Sequence, residues 1–337
     1  MEATLKKLFR QNLLSWFSRN ARVLPWRERP SLYKTVVSEF MLQQTQVKTV
    51  LPFFNRWLEH FPDFETLAES DVHKVIKLWE GLGYYSRAKN LQLFAQNFIK
   101  NPAKSFSDLL KFKGVGTYTA AAIASIAFRE KVAVVDGNVI RVLARIFNMQ
   151  AVFQNKDSAV KRITPIANEL IDSEHPGDFN EAIMELGALV CTKNNPKCDD
   201  CPLQRLCEAF KQNTVDKCPQ FVQLARKKCL KKRLWLIKNN NLLLESSRVG
   251  GLNTLWELPE ITPEREAYCD LSKLIFTGRR SIGTTTFIEE IYTVAPTVEE
   301  LTTLKPFEQC TYFSLNDVHK ISLSGPHKRW IQEISKK

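Results

Sequence analysis

Apolar side chains recur every three or four residues along the first two-thirds of the chain, and this period predicts helices. At the amino end the apolar positions at helical spacing are Leu5, Leu8, Phe9, Leu13, Trp16 and Phe17. We interpret this segment as an amphipathic helix that faces a core. It lacks the continuous apolar stretch and the cleavage site of a secretory signal. We therefore expect an intracellular protein, cytoplasmic if the source is bacterial.

A second helical pattern covers residues 33–50, where Glu39 lies near the edge of an apolar stripe. The stripe consists of Val36, Val37, Phe40 and Met41. A glutamate in such a position is ordinarily solvated. Further helices are predicted over residues 51–104, interrupted at residues 78–88 by a turn with two glycines and paired tyrosines. Another helix is predicted over residues 180–188.

Two helices joined by a glycine turn are predicted at about residues 105–128. The turn is residues 112–116, and the alanine-rich segment after it favours a helix. Ser105 or Ser107 is a plausible cap of the first helix. Backbone N–H groups and the dipole at the start of the second helix suit an anion. From the turn alone, a phosphate site and a plain helical corner are equally consistent.

Asp136 ends a short apolar run at residues 132–135 and comes directly before Gly137 and Asn138. An aspartate before a helix usually caps it by accepting hydrogen bonds from backbone N–H groups. The local pattern therefore favours a capping role.

In the last third of the chain the pattern changes to short strand-like runs divided by turn residues. The runs are residues 234–237, 242–244 and 287–292, and residues 239–241 are three asparagines that predict a hairpin turn. We interpret this part as a smaller α+β domain at residues 234–337. It follows a helical domain at residues 1–212 and a basic linker at residues 213–233, whose charged run at residues 226–233 suits either a solvated face or an anionic partner.

Size and charge agree with two domains and an anionic partner. The chain has 337 residues and a net charge of +12, with a pI of about 9.3. Nucleic acid is the leading partner, although a membrane surface or solubility alone would also fit the charge. Since no apolar run is long enough to span a bilayer, we expect no membrane partner.

Four of the eight cysteines are closely spaced, with gaps of six, two and five residues. They are Cys191, Cys198, Cys201 and Cys207. Thiolates at these spacings can converge on one metal centre, whereas a single Cys-x-x-Cys pair is a weak signal that also suits zinc. Without an export signal, disulfides are not expected. The remaining cysteines, interpreted as free thiols, are Cys218, Cys229, Cys269 and Cys310.

Several of these segments together resemble the helix-hairpin-helix-Gly/Pro-Asp DNA glycosylases, a superfamily that includes endonuclease III and the MutY adenine glycosylases. The segments are Gly114-Val115-Gly116, Thr119-Ala120, Val135-Asp136-Gly137-Asn138-Val139 and Arg141-Val142. The resemblance implies that Gly114 and Gly116 grip a phosphate of double-stranded DNA and that Asp136 serves the chemistry. One departure is Lys113, where the superfamily usually has proline. It adds a phosphate contact or leaves the turn looser.

The string Ser-Glu-Phe-Met-Leu-Gln-Gln-Thr-Gln-Val at residues 38–47 is similar to the MutY family in particular. In that family the glutamate, here Glu39, is the general acid that protonates adenine. Endonuclease III-type relatives have an amide or another residue there. The amides of Gln43 and Gln44 can enter a duplex or read base edges.

The resemblance implies further site residues. Tyr118 and Asn138 support the catalytic centre, and Glu181 contacts the flipped adenine. The pocket for the flipped base is lined by Leu24, Trp26 and Arg27. From the residues alone, Trp26 and Arg27 suit either a base-stacking platform or a packed loop.

The turn at residues 78–88 also has two interpretations. Its paired tyrosines suit either core packing at a helix corner or a wedge into the base stack, with Arg87 as a phosphate contact. The resemblance favours the wedge for Tyr84.

The cysteine spacing resembles the [4Fe–4S] loop of this superfamily, here residues 191–207. We interpret such a cluster as a structural staple for a basic loop. Residues 250–259 resemble the G-L-W-E-x-P segment of the MutT-like domain of MutY proteins. No full Nudix acidic helix motif is present, so pyrophosphohydrolase activity is not supported. The predicted fold is mainly α, a helix-hairpin-helix glycosylase with an Fe–S loop, followed by a smaller α+β MutT-like domain.

The function implied is a monofunctional DNA N-glycosylase of base excision repair, expected to be a monomer. It would flip and excise adenine mispaired with 8-oxoguanine or guanine by acid-assisted hydrolysis. One alternative is a bifunctional endonuclease III-like lyase, but such enzymes have a lysine where this chain has Tyr118. Another is a non-catalytic Fe–S DNA-binding protein, against which the presence of both Glu39 and Asp136 argues.

A last departure concerns the base opposite adenine. MutY proteins commonly carry a Phe-Ser-His loop in the carboxyl-terminal domain, and residues 279–287 here are Arg-Arg-Ser-Ile-Gly-Thr-Thr-Thr-Phe. Ser281 or the threonine hydroxyls can hydrogen-bond a base edge, and Arg279 or Arg280 can bind phosphate. A plain turn fits this segment too. We expect the domain to aid DNA binding but to discriminate 8-oxoguanine from guanine more weakly than its relatives do.

Overall fold

The computed structural model describes residues 2–223, 225–249, 252–296 and 301–336. The chain forms two compact units: residues 1–69 with 93–223, and residues 70–92 with 224–337. Residues 70–92, predicted from the sequence to be part of the helical domain, group in the structure with residues 224–337. The described part of the chain contains no helix with the length and apolarity that a bilayer crossing requires.

The first unit is built from helices. In chain order the helices of residues 2–223 are α1 (Ala3–Asn20), α2 (Leu32–Leu42), α3 (Val47–His60), α4 (Phe64–Glu69), α5 (Val72–Trp79), α6 (Ser86–Lys100), α7 (Phe106–Leu109), α8 (Thr117–Ala127), α9 (Gly137–Ile146), α10 (Lys156–Leu170), α11 (Pro176–Leu189) and α12 (Glu208–Lys211). Of these, α5 belongs to the second unit and α6 begins in it. Two short strands, β1 (Val152–Phe153) and β2 (Gln220–Phe221), pair in parallel.

Local capping chemistry sets several helix starts. Ser31, Ser105 and Asn155 accept hydrogen bonds from backbone N–H groups in the first turns of α2, α7 and α10. The cap of α7 is therefore Ser105. The helical pattern predicted over residues 33–50 is two helices, because Gln43 leaves the helical conformation and Gln44 is left-handed, with φ 57°.

Helix α8 is largely buried in the first unit. Its alanines are small, so that neighbouring helices can approach it closely. A Cβ atom on Gly177 of α11 would lie 2.9 Å from Cα of Ile126 in α8. The predicted amino-terminal helix is confirmed, but Leu5 and Leu8, which were expected to face a core, are each 40% exposed. Phe9, Leu13 and Trp16 bury its apolar face, and the Phe9 ring contacts Phe179 of α11.

In its described residues the second unit contains two sheets, together with α5, the start of α6 and two further helices. Its strands are β3 (Lys227–Trp235), β4 (Ile237–Lys238), β5 (Asn241–Val249), β6 (Leu252–Glu257), β7 (Cys269–Ile282), β8 (Thr285–Pro296) and β9 (Cys310–Ser314). One sheet has the order β3-β8-β7, with β3 parallel to β8. In the other, β4, β6 and β9 pair antiparallel with β5. The additional helices are α13 (Pro263–Glu266) and α14 (Gly325–Ile334).

The predicted hairpin turn and the strands predicted at residues 242–244 and 287–292 are confirmed, whereas the run at residues 234–237 is divided at Leu236 between the end of β3 and the start of β4. Asn239 and Asn240 have φ of 49° and 61°, the left-handed pair that a tight hairpin between β4 and β5 needs. The basic run predicted as a linker is instead part of β3 from Lys227 onward, because its backbone pairs with β8 in register from Lys227↔Thr285. Gly250 and Gly251 of the G-L-W-E-x-P segment lie outside the described residues.

Candidate active site and cysteine loop

The residues assigned to adenine excision surround one pocket of about 520 Å³ in the first unit. Its walls come from the loop before α2, from α2 itself, from the starts of α8 and α9, and from α11. The predicted residues that line it are Leu24, Trp26, Arg27, Glu39, Tyr118, Asp136, Asn138 and Glu181.

Glu39 is buried on α2, with 5% of its surface exposed, rather than solvated as a helical glutamate usually is. Burial, followed by the nearby charge of Glu181, raises the pKa of its carboxyl to about 8. The Tyr118 hydroxyl and the charge of Arg27 act in the opposite direction. Within the described chain, Glu39 Oε2 has no hydrogen-bond partner. The site therefore holds a protonated carboxyl group at neutral pH.

Asp136 is both the cap of α9 and part of the pocket. Its Oδ1 accepts a hydrogen bond from the Val139 backbone N–H at 2.8 Å, and its Oδ2 accepts one from Asn138 Nδ2 at 2.8 Å. Burial raises the pKa of Asp136 above its usual value, and these two hydrogen bonds oppose that shift. The capping and catalytic interpretations are compatible, because the cap fixes the carboxyl group inside the pocket.

Arg141 was not among the predicted site residues, although the arginine stood in the motif. Its Nη2 donates to Asn138 Oδ1 at 2.8 Å and to the Gly187 carbonyl at 2.6 Å, while Nε donates to the Cys191 carbonyl at 2.7 Å. One guanidinium group thus connects the partner of Asp136 to the first cysteine of the loop.

Glu185 is a second residue of the pocket that the sequence did not predict. It is 2% exposed and accepts hydrogen bonds from Arg22 Nε at 2.7 Å and Arg27 Nη2 at 3.3 Å. Arg27 Nε also lies 2.7 Å from Glu181 Oε1. No local signal distinguished Glu185 from a solvated glutamate, because its partners are more than 150 residues away in the chain.

The loop between α1 and α2 is packed rather than open. The Trp26 indole contacts the Phe54 ring edge-on at a centroid distance of 5.2 Å and is nearly buried. Trp26 therefore lines the pocket from a fixed position. Tyr118 is fixed as well, since its hydroxyl donates to Met184 Sδ at 3.3 Å. Burial raises the pKa of Tyr118 well above its usual value.

The helical hairpin contains two different glycines. Gly114 has φ 85°, a left-handed backbone conformation that favours glycine. Gly116, the cap of α8, has an ordinary φ of −86°, and an added Cβ there would have no atom within 4 Å. Gln43 Nε2 donates to Thr119 Oγ1 at 3.0 Å and to the Gly114 carbonyl at 3.4 Å. Gln43 thus braces the hairpin, while Gln44 is exposed.

In the second unit, the turn after α5 presents Tyr84, which is 52% exposed and left-handed with φ 47°. Arg87 is only 6% exposed and donates to the carbonyls of Leu82 and Gly83 at 3.1 and 3.0 Å. The predicted phosphate contact of Arg87 is wrong, because its guanidinium group faces inward to support the turn.

The predicted lesion-reading segment forms the hairpin between β7 and β8. Arg280 is held by Glu289, with Nε 2.5 Å from Oε1, and by Glu257, with Nη1 3.3 Å from Oε1. The suggested phosphate contact of Arg280 is therefore wrong, whereas Arg279 and the tip at residues 281–284 are exposed.

The four spaced cysteines line one cavity whose other walls are largely apolar. In the described chain, no three His, Cys, Asp or Glu side chains converge closely enough to hold a single metal ion. Arg145, almost fully buried, donates to Cys191 Sγ at 3.3 Å and to the Thr192 carbonyl at 2.7 Å. Four thiols spread around a common cavity fit a multinuclear iron–sulfur centre better than one zinc ion.

The other described cysteines agree with the predicted free thiols. They are Cys218, Cys229 and Cys310. The side chain of Cys269 lies outside the described part of the structure.

Residues 37–166 match a profile described as "HhH-GPD superfamily base excision DNA repair protein". A Rattus norvegicus protein named "Adenine DNA glycosylase" is 44% identical over 221 residues, 60% of this chain and 42% of that protein. A protein of the same name from Buchnera aphidicola subsp. Acyrthosiphon pisum is 34% identical over 272 residues, 78% of this chain and 77% of that protein.

A solved structure titled as a thermostable thymine-DNA glycosylase covers 63% of this chain and 100% of its own, with 26% identity and a TM-score of 0.57. This likeness agrees with the helical architecture of the first unit. The chain spans less than half the length of the rat relative, at 42%, but more than three-quarters of the Buchnera relative. By the extent and identity of that second match, the chain belongs to the adenine DNA glycosylase family of helix-hairpin-helix base excision repair proteins.

Proposed function

We propose that this protein excises adenine mispaired with 8-oxoguanine or guanine in double-stranded DNA by hydrolysing the N-glycosidic bond. One observation carries the proposal: the protonated carboxyl of Glu39 and the hydrogen-bonded carboxyl of Asp136 line the same pocket. Two carboxyl groups held in different environments can serve as acid and electrostatic stabiliser of one reaction.

The adenine is flipped out of the duplex before reaction, because its glycosidic bond is otherwise inaccessible. The pocket between α2 and α11 receives it, with Trp26 fixed in the wall and the Arg27–Glu181 ion pair at its edge. The N–H groups at the start of α8 bind a backbone phosphate, and Gly116 leaves space for that approach. Tyr84 fills the space left in the base stack.

Glu39 donates its proton to a ring nitrogen of adenine as the bond between C1′ and the base breaks. The electron pair of that bond moves to the base, which leaves as neutral adenine rather than as an anion. The pKa of about 8 keeps the proton on Glu39 at neutral pH. After departure, the Glu39 carboxylate can take a proton from the water that adds to C1′.

The sugar carries oxocarbenium character as the base leaves, and the Asp136 carboxylate stabilises this charge or attacks C1′. Asn138 and the Val139 N–H hold both of its oxygens, and Arg141 holds Asn138 in turn. A carboxylate fixed in this way needs no reorganisation when the positive charge develops.

The fold family implies a [4Fe–4S] cluster, and the residues present fit it. Cys191, Cys198, Cys201 and Cys207 would hold the cluster as thiolates. When bound, it would staple the loop rather than take part in bond cleavage. The loop would then present Lys193 and Lys197 to the DNA backbone.

We also infer that the protein acts as a monomer inside the cell.

The decisive experiment is a single-turnover assay on a duplex with one adenine opposite 8-oxoguanine. We expect release of adenine with an intact strand until alkali is added, since Tyr118 is no amine and cannot form a Schiff base. Borohydride should therefore trap little cross-linked enzyme. Efficient trapping, with strand cleavage at the rate of base release, would instead indicate a lyase. Absence of adenine release would refute the proposed activity.

A further inference from the structure

The turn that carries Tyr84 belongs to the second unit, although it lies far in the sequence from the carboxyl-terminal residues of that unit. Lys77 Nζ on α5 donates to the carbonyls of His319 and Ile321 at 3.2 and 3.1 Å. After the turn, the buried Tyr85 hydroxyl donates to the Leu323 carbonyl at 3.3 Å. The segment preceding α14 therefore contacts the turn on both sides of Tyr84.

A buried carboxylate at the start of this turn is shared between the two segments. Glu80 follows the last residue of α5, and only 6% of its side chain is exposed. Its Oε1 lies 3.1 Å from Lys328 Nζ on α14, and its Oε2 lies 2.7 Å from Lys77 Nζ. Lys328 is the cation through which α14 reaches the turn.

The same helix supports the hairpin between β7 and β8. His327, fully buried, accepts a hydrogen bond from the Leu258 N–H, and its Nε2 lies 3.6 Å from Glu289 Oε2. Glu289 in turn holds Arg280 near the hairpin tip. Trp330 packs directly against Gly278 of β7, where an added Cβ would clash with the indole ring.

The Tyr84 backbone needs such support. A non-glycine residue with φ 47° is in a sparsely populated region of backbone conformation, which persists only where the surroundings impose it. Trp79 and Arg87 bind the carbonyls within the turn. Those bonds fix its internal shape, whereas the Glu80–Lys328 pair and the Tyr85–Leu323 bond fix its place in the unit.

We propose that α14 is the common support of the Tyr84 turn and the β7–β8 hairpin, and that Lys328, through Glu80, is a positioning residue for Tyr84. The inference rests on the proposed function in one respect, namely that Tyr84 enters DNA. The carboxyl-terminal part of the second unit then has a second role besides DNA contact by the hairpin. That role is to hold Tyr84 in its strained, exposed conformation.

The test combines Lys328→Met, Glu80→Gln and Tyr84→Ala in full-length protein, singly and in pairs. Wedge insertion is measured by 2-aminopurine fluorescence in the strand opposite the adenine, and adenine release is measured separately. Arg329→Met is the matched control, because Arg329 is an exposed cation on the same helix. Thermal melts establish that every variant is folded.

We expect Lys328→Met to reduce the fluorescence change roughly threefold or more, with no further loss in the Glu80→Gln or Tyr84→Ala backgrounds. Arg329→Met should match the wild type. If Lys328→Met behaves like the wild type, or if its effect multiplies with that of Tyr84→Ala, the inference is wrong. It is also wrong if the wild type gives no Tyr84-dependent signal.

The two proposals fail separately. A wild-type protein that gives the expected fluorescence pattern but releases no adenine would refute the activity and leave the positioning role standing. If the wild type releases adenine but the effects of Lys328→Met and Tyr84→Ala on the fluorescence multiply, the positioning role alone is refuted.

Discussion

A Cβ atom on Gly187 would lie 2.6 Å from the Cβ of Asn138, so α11 approaches the start of α9 at a glycine, where no side chain intervenes. Asn138 Nδ2 holds Asp136 Oδ2, and the Gly187 carbonyl accepts from Arg141. The closeness of the two helices therefore sets the position of the Asp136 carboxylate.

Gly187→Ala should displace Asn138 and slow adenine release by about 10-fold or more, because small misplacements of catalytic groups are costly. The measurement is the single-turnover rate per folded molecule. Gly177→Ala is the matched control, since its Cβ would crowd Ile126 of α8 instead. It should lower Tm while changing the rate much less. Equal effects of the two variants on the rate would contradict the positioning role of Gly187.

Glu39→Gln should abolish adenine release and leave mismatch binding nearly intact, because the amide keeps the shape but has no acidic proton to give. In the wild type, the single-turnover rate should fall as pH rises through about 8, the pKa of Glu39. It should also fall in acid as Asp136, whose pKa is raised by burial, becomes protonated. Release by Glu39→Gln at the wild-type rate would place the acid elsewhere.

The same raised pKa predicts how stability depends on pH. The folded state keeps a proton on Glu39 up to about pH 8, whereas the unfolded chain releases it near 4.5. The stability that neutral Glu39 contributes is complete below pH 4.5 and is lost as pH rises through 8. Glu39→Gln should therefore raise Tm relative to the wild type more at pH 8.5 than at pH 5. Thermal melts at the two pH values test this, and an equal Tm difference at both would contradict it.

The purified protein should be yellow-brown and contain about four irons and four sulfides per chain. Cys198→Ala should lose most of the iron, because Cys198 lines the shared cavity, whereas Cys229→Ala, outside that cavity, should keep it. Metal analysis and the visible absorption of the cluster provide the measurements. Stoichiometric zinc without iron after anaerobic purification would disprove the assignment.

The β7–β8 hairpin should discriminate 8-oxoguanine only weakly. Its candidate hydroxyls, Ser281 and Thr286, already lie 3.3 Å apart and can satisfy each other. Ser281→Ala with Thr286→Ala should change the ratio of excision rates opposite 8-oxoguanine and guanine by less than about 5-fold, below the loss of one good base contact. Arg279→Ala should weaken the binding of both duplexes, with adenine opposite 8-oxoguanine or opposite guanine, by the same factor.

These point variants test the hairpin better than removal of residues 225–337, which would also remove the contacts that His319, Ile321 and Leu323 make with the Tyr84 turn and the helix before it. A collapse of a large 8-oxoguanine preference to near unity in the hydroxyl variant would show that the hairpin reads the lesion.

The local sequence determined much of what is close in the chain. Helical periodicity predicted α1, a capping serine predicted the start of α7, and an alanine-rich segment predicted α8. Short apolar runs divided by turn residues predicted β5 and β8, because all these signals act over a few residues. The motif residues and the cysteine spacing also predicted which side chains would line the pocket and the cavity.

Only the tertiary structure decided which of those side chains are buried and what they contact. Glu39 acquires its raised pKa from burial and from the nearby charge of Glu181. Carbonyl groups hold Arg87, and carboxylates hold Arg280, away from a phosphate. The partners of Glu185 and Lys328 lie more than 150 residues away. Desolvation and ion pairing depend on such distant neighbours, and a one-dimensional pattern of apolar and polar positions does not contain them.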